Sequence, residues 1–171
     1  ECGNVWGYTG STGDVDWSWD YHIMINEFRK HPKVSGWLYT EHHDVINEWN
    51  GYYKYDRTEK FTGFSDFIPD MDLKHLHSEI YVSTGSDLCR EVRPGGTVNV
   101  PLYLSVMTDQ VPPDHYLLDY ELSGRDHHGI YRHVFLKTEI VESLPWFQGE
   151  ITPLSVTMPE VPGLYHLTLR L

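Results

Sequence analysis

Four carboxylates stand in segments that sustain neither a helical nor a strand period: Glu1, Glu41, Asp44 and Glu48, the last three interleaved with His42 and His43. Two carboxyl groups flanking a glycosidic bond, roughly 5–5.5 Å apart in a retaining enzyme, cleave it with one as nucleophile and the other as acid/base. The bland alternative is an acidic, solvated rim. Imidazoles mixed with carboxylates also suit zinc or iron. Adjacent histidines on extended chain point to opposite sides, however, so His42 and His43 do not readily serve one ion. His75 and His77 share a face but have no third ligand nearby. No metal and no cofactor are expected. No Ser-His-Asp or Cys-His arrangement stands out, and the glycine pairs lack the lysine and the strand-to-helix setting of a phosphate loop.

These groups need a scaffold. Residues 1–13, with glycines at 3, 7, 10 and 13 around Trp6 and Tyr8, read as a loop. Asp14 or Asp16 can cap a helix running to about His31, with Trp17, Tyr21, Met24 and Phe28 on one face, Ile25 widening it, and Arg29, Lys30 and His31 at the negative end of its dipole. Pro32 stops it. A short strand is expected over Val34 to Tyr39, and it opens into the polar and aromatic stretch from Thr40 to Lys60. A strand with chemistry at its carboxyl end is the order found where the last strands of a (β/α) barrel reach its active site. Residues 61–78 read as an irregular connection.

From Glu79 the texture changes to short alternating segments at 80–84, 97–108, 115–123, 130–138, 151–158 and 164–171, separated by turn signals such as Pro94-Gly95-Gly96 and Asp126-His127-His128-Gly129. That spacing predicts an antiparallel sandwich. The last segment alternates up to Leu171, and both ends of the chain look cut.

Composition narrows the partners. The chain has 171 residues, 22% of them charged and 40% hydrophobic, which is ordinary for a folded protein. Thirteen Lys and Arg against 25 Asp and Glu, spread without clusters, give a net charge of -12. Nucleic acid is an unsuitable partner for such a surface. No apolar run approaches the roughly 20 residues a membrane span needs. Cys2 and Cys89 form no metal or redox spacing and read as small buried hydrophobes. Aromatics are abundant, with 6 Trp and 12 Tyr, as large core side chains or as stacking faces for flat ligands such as sugar rings.

The first 60 residues resemble the carboxyl-terminal part of the catalytic barrel of glycoside hydrolase family 2, which comprises β-galactosidases, β-glucuronidases and β-mannosidases. Glu1-Cys2-Gly3 matches the Glu and the Gly of that family's Ser-Glu-aromatic-Gly nucleophile motif and departs at the aromatic. Asn26 to Pro32 leading into Gly36-Trp37-Leu38-Tyr39-Thr40 is similar to its helix seven and strand eight, and Asn50-Gly51 followed by Asp56-Arg57 and Lys60 to its Asn-Gly and Asp-Arg-x-x-Lys run.

The resemblance implies an α/β barrel fragment, the last strands and helix of a TIM barrel, over residues 1–65. A connecting segment (66–78) and an all-β antiparallel, immunoglobulin-like sandwich (79–171) follow. It implies the carboxyl-terminal part of a retaining exo-β-glycosidase, with Glu1 as nucleophile and Tyr39 as sugar platform. Asn4, Trp6, Glu41, His42 and Asn50 are candidate contacts to a carbohydrate substrate. The acid/base glutamate has no counterpart, so the chain alone is expected to be inactive. A periplasmic or secreted location is favoured over a cytoplasmic one. The rival reading is a non-catalytic carbohydrate-binding or spacer module built on the sandwich, which would require a line of exposed aromatics on one sheet.

Overall fold

The structure, a computed structural model, describes Cys2, residues 16–112 and residues 114–171. Helix α1 spans Ser18–Lys30. The Asp16 carboxylate accepts the Ser18 N–H at 3.0 Å and satisfies one of the free donors at the helix start. The period read from the sequence holds where it matters: Trp17, Tyr21 and Ile25 are buried on one side, joined by Tyr39, Phe64 and Leu76 in a small aromatic core. At the other end Glu27 accepts from Lys30 at 2.7 Å and pairs with His31 at 3.0 Å.

The barrel fragment is overturned. Among the described residues α1 is the sole helix longer than five residues, and residues 34–38 form no strand. Tyr39 makes one isolated parallel bridge to Cys2, with Cys2 N–H donating to Leu38 O at 2.8 Å and Thr40 N–H to Cys2 O at 3.0 Å. A strand exists through its neighbours' hydrogen bonds, and among the described residues the ladder-type bonds of this segment are those to Cys2. Its alternation survives without a ladder: Tyr39 turns toward α1 while Leu38 is 69% exposed. The stretch read as a mere connection contributes a one-turn helix, α2 (Phe64–Phe67), and a 3-10 helix over Leu73–His77 whose Leu76 is fully buried.

The rest of the chain is antiparallel sheet. Strands β1 (Ile80–Ser83), β2 (Thr97–Val106) and β5 (Gln148–Thr157) form one sheet in the order β1-β2-β5. Strands β3 (His115–Asp126), β4 (Tyr131–Glu142) and β6 (Gly163–Arg170) form the other in the order β4-β3-β6. Their inner faces share one core, in which Val100, Leu102, Leu104 and Val106 of β2 meet Tyr116, Leu118, Tyr120 and Leu122 of β3. Those are residues i, i+2, i+4 and i+6 of each strand, as the pleat demands. The β3–β4 turn is built by Asp126, whose carboxylate accepts the N–H groups of His128 and Ile130 and pairs with Arg132 at 2.7 Å, while Gly129 takes a φ of 79°.

Arg29 locks the helix onto the sheets. It is 1% exposed, donates to Leu76 O, Ser78 O and Ser105 Oγ at 2.7–3.2 Å, and packs against the rings of Trp37 and Tyr81. A buried cation is tolerable because its donors find acceptors and its face finds rings. Asn26 Nδ2 donates to Gly85 O at 2.9 Å and Gln148 Nε2 to Phe28 O at 2.8 Å. No helix among the described residues is long and apolar enough to cross a membrane.

Candidate functional site

The loop from Thr40 to Lys60 is irregular in outline and tightly held inside. Asp44, buried among the loop's backbone, accepts from Lys60 Nζ at 2.7 Å and from Gly51 N–H at 2.9 Å, and Lys60 also donates to Trp49 O at 2.8 Å. Asn50 Nδ2 donates to Thr40 O at 2.7 Å, and Tyr39 OH donates to Asn50 O at 2.8 Å. Tyr52 N–H donates to Glu41 O, Tyr53 N–H to His42 O, and Asp44 N–H to Tyr53 O. Residue 51 must be glycine for a steric reason: a Cβ there would run into the backbone of His43 and Asp44, lying 2.6 Å from His43 Cα. The Asn50-Gly51 pair and Lys60 therefore act here as a clasp that shapes the loop.

Tyr39 lies under that clasp. Its ring stacks on Tyr52 at 4.6 Å and on Trp17 at 5.7 Å, each 20° from parallel, and Tyr21 meets it edge-on at 5.0 Å. With 7% of its surface exposed, the ring is a core member in this chain. Burial and the neighbouring Tyr21 push its hydroxyl well above the ordinary tyrosine range. Tyr21 OH lies 2.6 Å from Tyr52 OH and 3.0 Å from His77 Nε2, and burial, the largest influence, raises the Tyr21 hydroxyl to about 12. An open cleft of about 450 Å³ adjoins this block, with Trp37, Tyr39, His42, Tyr52 and His77 among its walls.

Glu41 has a buried carboxylate oxygen with hydrogen-bonding capacity left. Its Oε1 is buried without a hydrogen-bond partner among the described residues, and Asn50 Oδ1 is in the same state. Loss of solvent, followed by the nearby Glu48 and Asp44 charges, raises the Glu41 carboxyl above its ordinary value, with His43 opposing. His42 is exposed, 3.4 Å from His43 through their Nδ1 atoms, and its ring lies 5.1 Å from that of Tyr53. Glu1, Asn4 and Trp6 lie outside the described residues. Cys2, which follows Glu1 in sequence, is bonded directly to Leu38 and Thr40.

The structure thus gathers Tyr39, Glu41, His42 and Asn50 in one hydrogen-bonded loop, with Tyr39 stacked on Trp17 at the start of α1. Sequence reading missed Lys60 as the partner of Asp44, and also Trp17, Tyr52 and His77 as the walls around Tyr39. The Asp-Arg-x-x-Lys run was a signal for Lys60; nothing in the sequence pairs Tyr21 with His77. Comparison with protein families, curated proteins and solved structures finds no match for this chain.

Proposed function

We propose that the chain is the carboxyl-terminal part of a retaining exo-β-glycosidase acting on terminal β-linked sugars, similar to glycoside hydrolase family 2. Glu1 is the nucleophile in this reading, and the acid/base carboxyl comes from polypeptide outside these 171 residues. The observation that carries it is the paired backbone bonding of Cys2 to Leu38 and Thr40, which sets the residue after Glu1 against the start of the loop that bears Glu41 and His42. A loop that contacts sugar hydroxyls has to lie beside the segment that carries the nucleophile. The clasp of Asn50, Asp44 and Lys60 gives the loop the rigidity a positioned sugar demands.

The reaction would run as two displacements. The Glu1 carboxylate attacks the anomeric carbon while the acid protonates the departing oxygen, giving a glycosyl ester that water then hydrolyses. Glu41 and His42 would contact sugar hydroxyls from the loop. A mechanism-based 2-deoxy-2-fluoroglycoside should trap the ester in the enzyme that carries this chain, and peptide mapping should place the label on Glu1. A label on Glu41, or on any other carboxylate, would remove Glu1 from the role.

The sandwich offers no competing sugar face among the described residues. Its exposed large aromatics are Tyr131 and Trp146, one on β4 and the other in the β4–β5 connection, so they form no continuous strip.

A further inference from the structure

The hydroxyl of Tyr21, a fully buried residue of α1, stands at a junction. Tyr52 OH lies 2.6 Å from it, His77 Nε2 lies 3.0 Å from it, and Trp37 hydrogen-bonds to it as well. A phenol has one proton to give and two lone pairs to fill, and an indole N–H can only donate. With Trp37 on one lone pair, one proton and one lone pair remain for Tyr52 and His77. Two arrangements then satisfy the junction: Tyr52 gives to Tyr21 and Tyr21 to His77, or His77 gives to Tyr21 and Tyr21 to Tyr52.

The protonation state of His77 selects between them. Its ring is held by those of Tyr21, Trp37 and Tyr52, each with a centroid 5.9 Å away, so Nε2 stays aimed at the buried hydroxyl. Arg29, bonded to the carbonyls of Leu76 and Ser78 on either side of His77, opposes added positive charge there. The inward nitrogen is therefore the bare one in the neutral ring, and the exposed ring gives its N–H to water through Nδ1. An imidazolium carries a proton on both nitrogens and must donate from each.

We propose that His77, Tyr21 and Tyr52 form a proton-ordered switch, in which protonation of His77 reverses the chain and turns Tyr52 from a hydrogen-bond acceptor into a donor at the cleft. Each hydroxyl passes its proton one place toward Nε2. The Tyr21 O–H bond breaks as Nε2–H forms, the Tyr52 O–H bond breaks as a new Tyr21 O–H forms, and Tyr52 takes a proton from hydronium, releasing water. Tyr52 and His77 are both walls of the cleft of about 450 Å³, and among the described residues the hydrogen-bond partner of the Tyr52 hydroxyl is Tyr21. The cleft thus offers ligands a lone pair above the His77 transition and an O–H below it. Partial loss of solvent, then the Arg29 charge, lower the His77 pKa, which puts the transition below about pH 6.5. The other ionisable groups nearby are Glu79 and His42 on the same cleft and Cys2 near the two tyrosine hydroxyls. Tyr81 of β1 turns its hydroxyl to His22 and Asn26, and on the 3-10 helix Lys74 and His75 pair with Asp72. The switch is independent of the glycosidase reading.

The test is NMR on the 171-residue protein, labelled with ¹⁵N in histidine and ¹³Cζ in tyrosine. At about pH 8, above the histidine range, His77 should carry its proton on Nδ1 and leave Nε2 bare. On acidification the Tyr52 Cζ shift should move with the His77 midpoint. Tyr21→Phe removes the link, so His77 should still titrate and the Tyr52 response should vanish; should that variant not fold, the neutral tautomer in the parent decides. A proton on Nε2 at about pH 8, or a Tyr52 signal that ignores the His77 titration, would overturn the proposal. So would a full Tyr52 response in Tyr21→Phe, since the His77 charge would then act through space.

Discussion

Asp44 and Lys60 form an ion pair of 2.7 Å with 3% of either side chain exposed. Removing one partner strands the other charge in a buried loop, which typically costs about 3–5 kcal/mol. Lys60→Met should therefore lower unfolding free energy by about that amount and open residues 40–60 to proteases. Asp44→Leu combined with Lys60→Met should be less harmful than Lys60→Met alone. Denaturant titration of the single and double variants checks both statements, and a loss below about 1 kcal/mol for Lys60→Met would contradict the clasp.

Gly51→Ala tests the same loop through sterics. The added methyl meets backbone atoms of His43 and Asp44, which cannot rotate away as a side chain could. A penalty of about 1–3 kcal/mol or more is expected, as for overpacking elsewhere. Unchanged stability would mean that the loop relaxes freely.

Tyr39 separates packing from hydroxyl chemistry. Tyr39→Phe loses the bond to Asn50 O, worth about 1 kcal/mol, and keeps the stack with Tyr52 and Trp17. Tyr39→Ala should cost about 3–5 kcal/mol, the range for a buried aromatic. Similar losses for the two variants would show that the ring contributes little.

His22 predicts a pH response. It is 9% exposed, its Nε2 faces Tyr81 OH at 3.2 Å, and burial lowers its pKa to about 4. The unfolded chain therefore binds the proton more readily than the folded one between about pH 6.5 and 4, and the stability that depends on neutral His22 is present above that window and lost through it. His22→Leu should flatten the fall in stability between pH 7 and 4 by about 3 kcal/mol at most. An equally steep fall in the variant would assign the effect elsewhere.

Glu41 runs the other way. Its raised pKa means that the folded state holds the proton more tightly, so its ionisation opposes folding as pH rises through that pKa. Glu41→Gln should be more stable than the parent at neutral pH. The advantage should vanish in acid, where the carboxyl is protonated in both states. Thermal melts from pH 3 to 8 measure the crossover.

How much of this could be read beforehand depended on the range of the interactions. The α1 face of Trp17, Tyr21 and Ile25 and the alternation of Leu118, Tyr120 and Leu122 were visible because helix and strand periods are properties of neighbouring residues. All six strands were placed within a few residues of their observed limits, since Pro and Gly mark where a ladder must end.

Residues 34–39 went the other way, because an extended, apolar sequence becomes a strand only when another backbone shares its hydrogen bonds, and among the described residues the bridge is to Cys2. Within the candidate site, Glu41, His42 and Asn50 were legible as polar residues in a loop. Tertiary structure decided which of them is bound and which has capacity left: Asp44 meets Lys60 sixteen residues on, Tyr21 meets His77 across 56, and Arg29 finds its acceptors on Leu76, Ser78 and Ser105. Sequence determines what each side chain can donate or accept. Only the packed chain determines what lies within 3 Å, because burial removes water as the default partner and leaves each polar group to the neighbour the fold supplies.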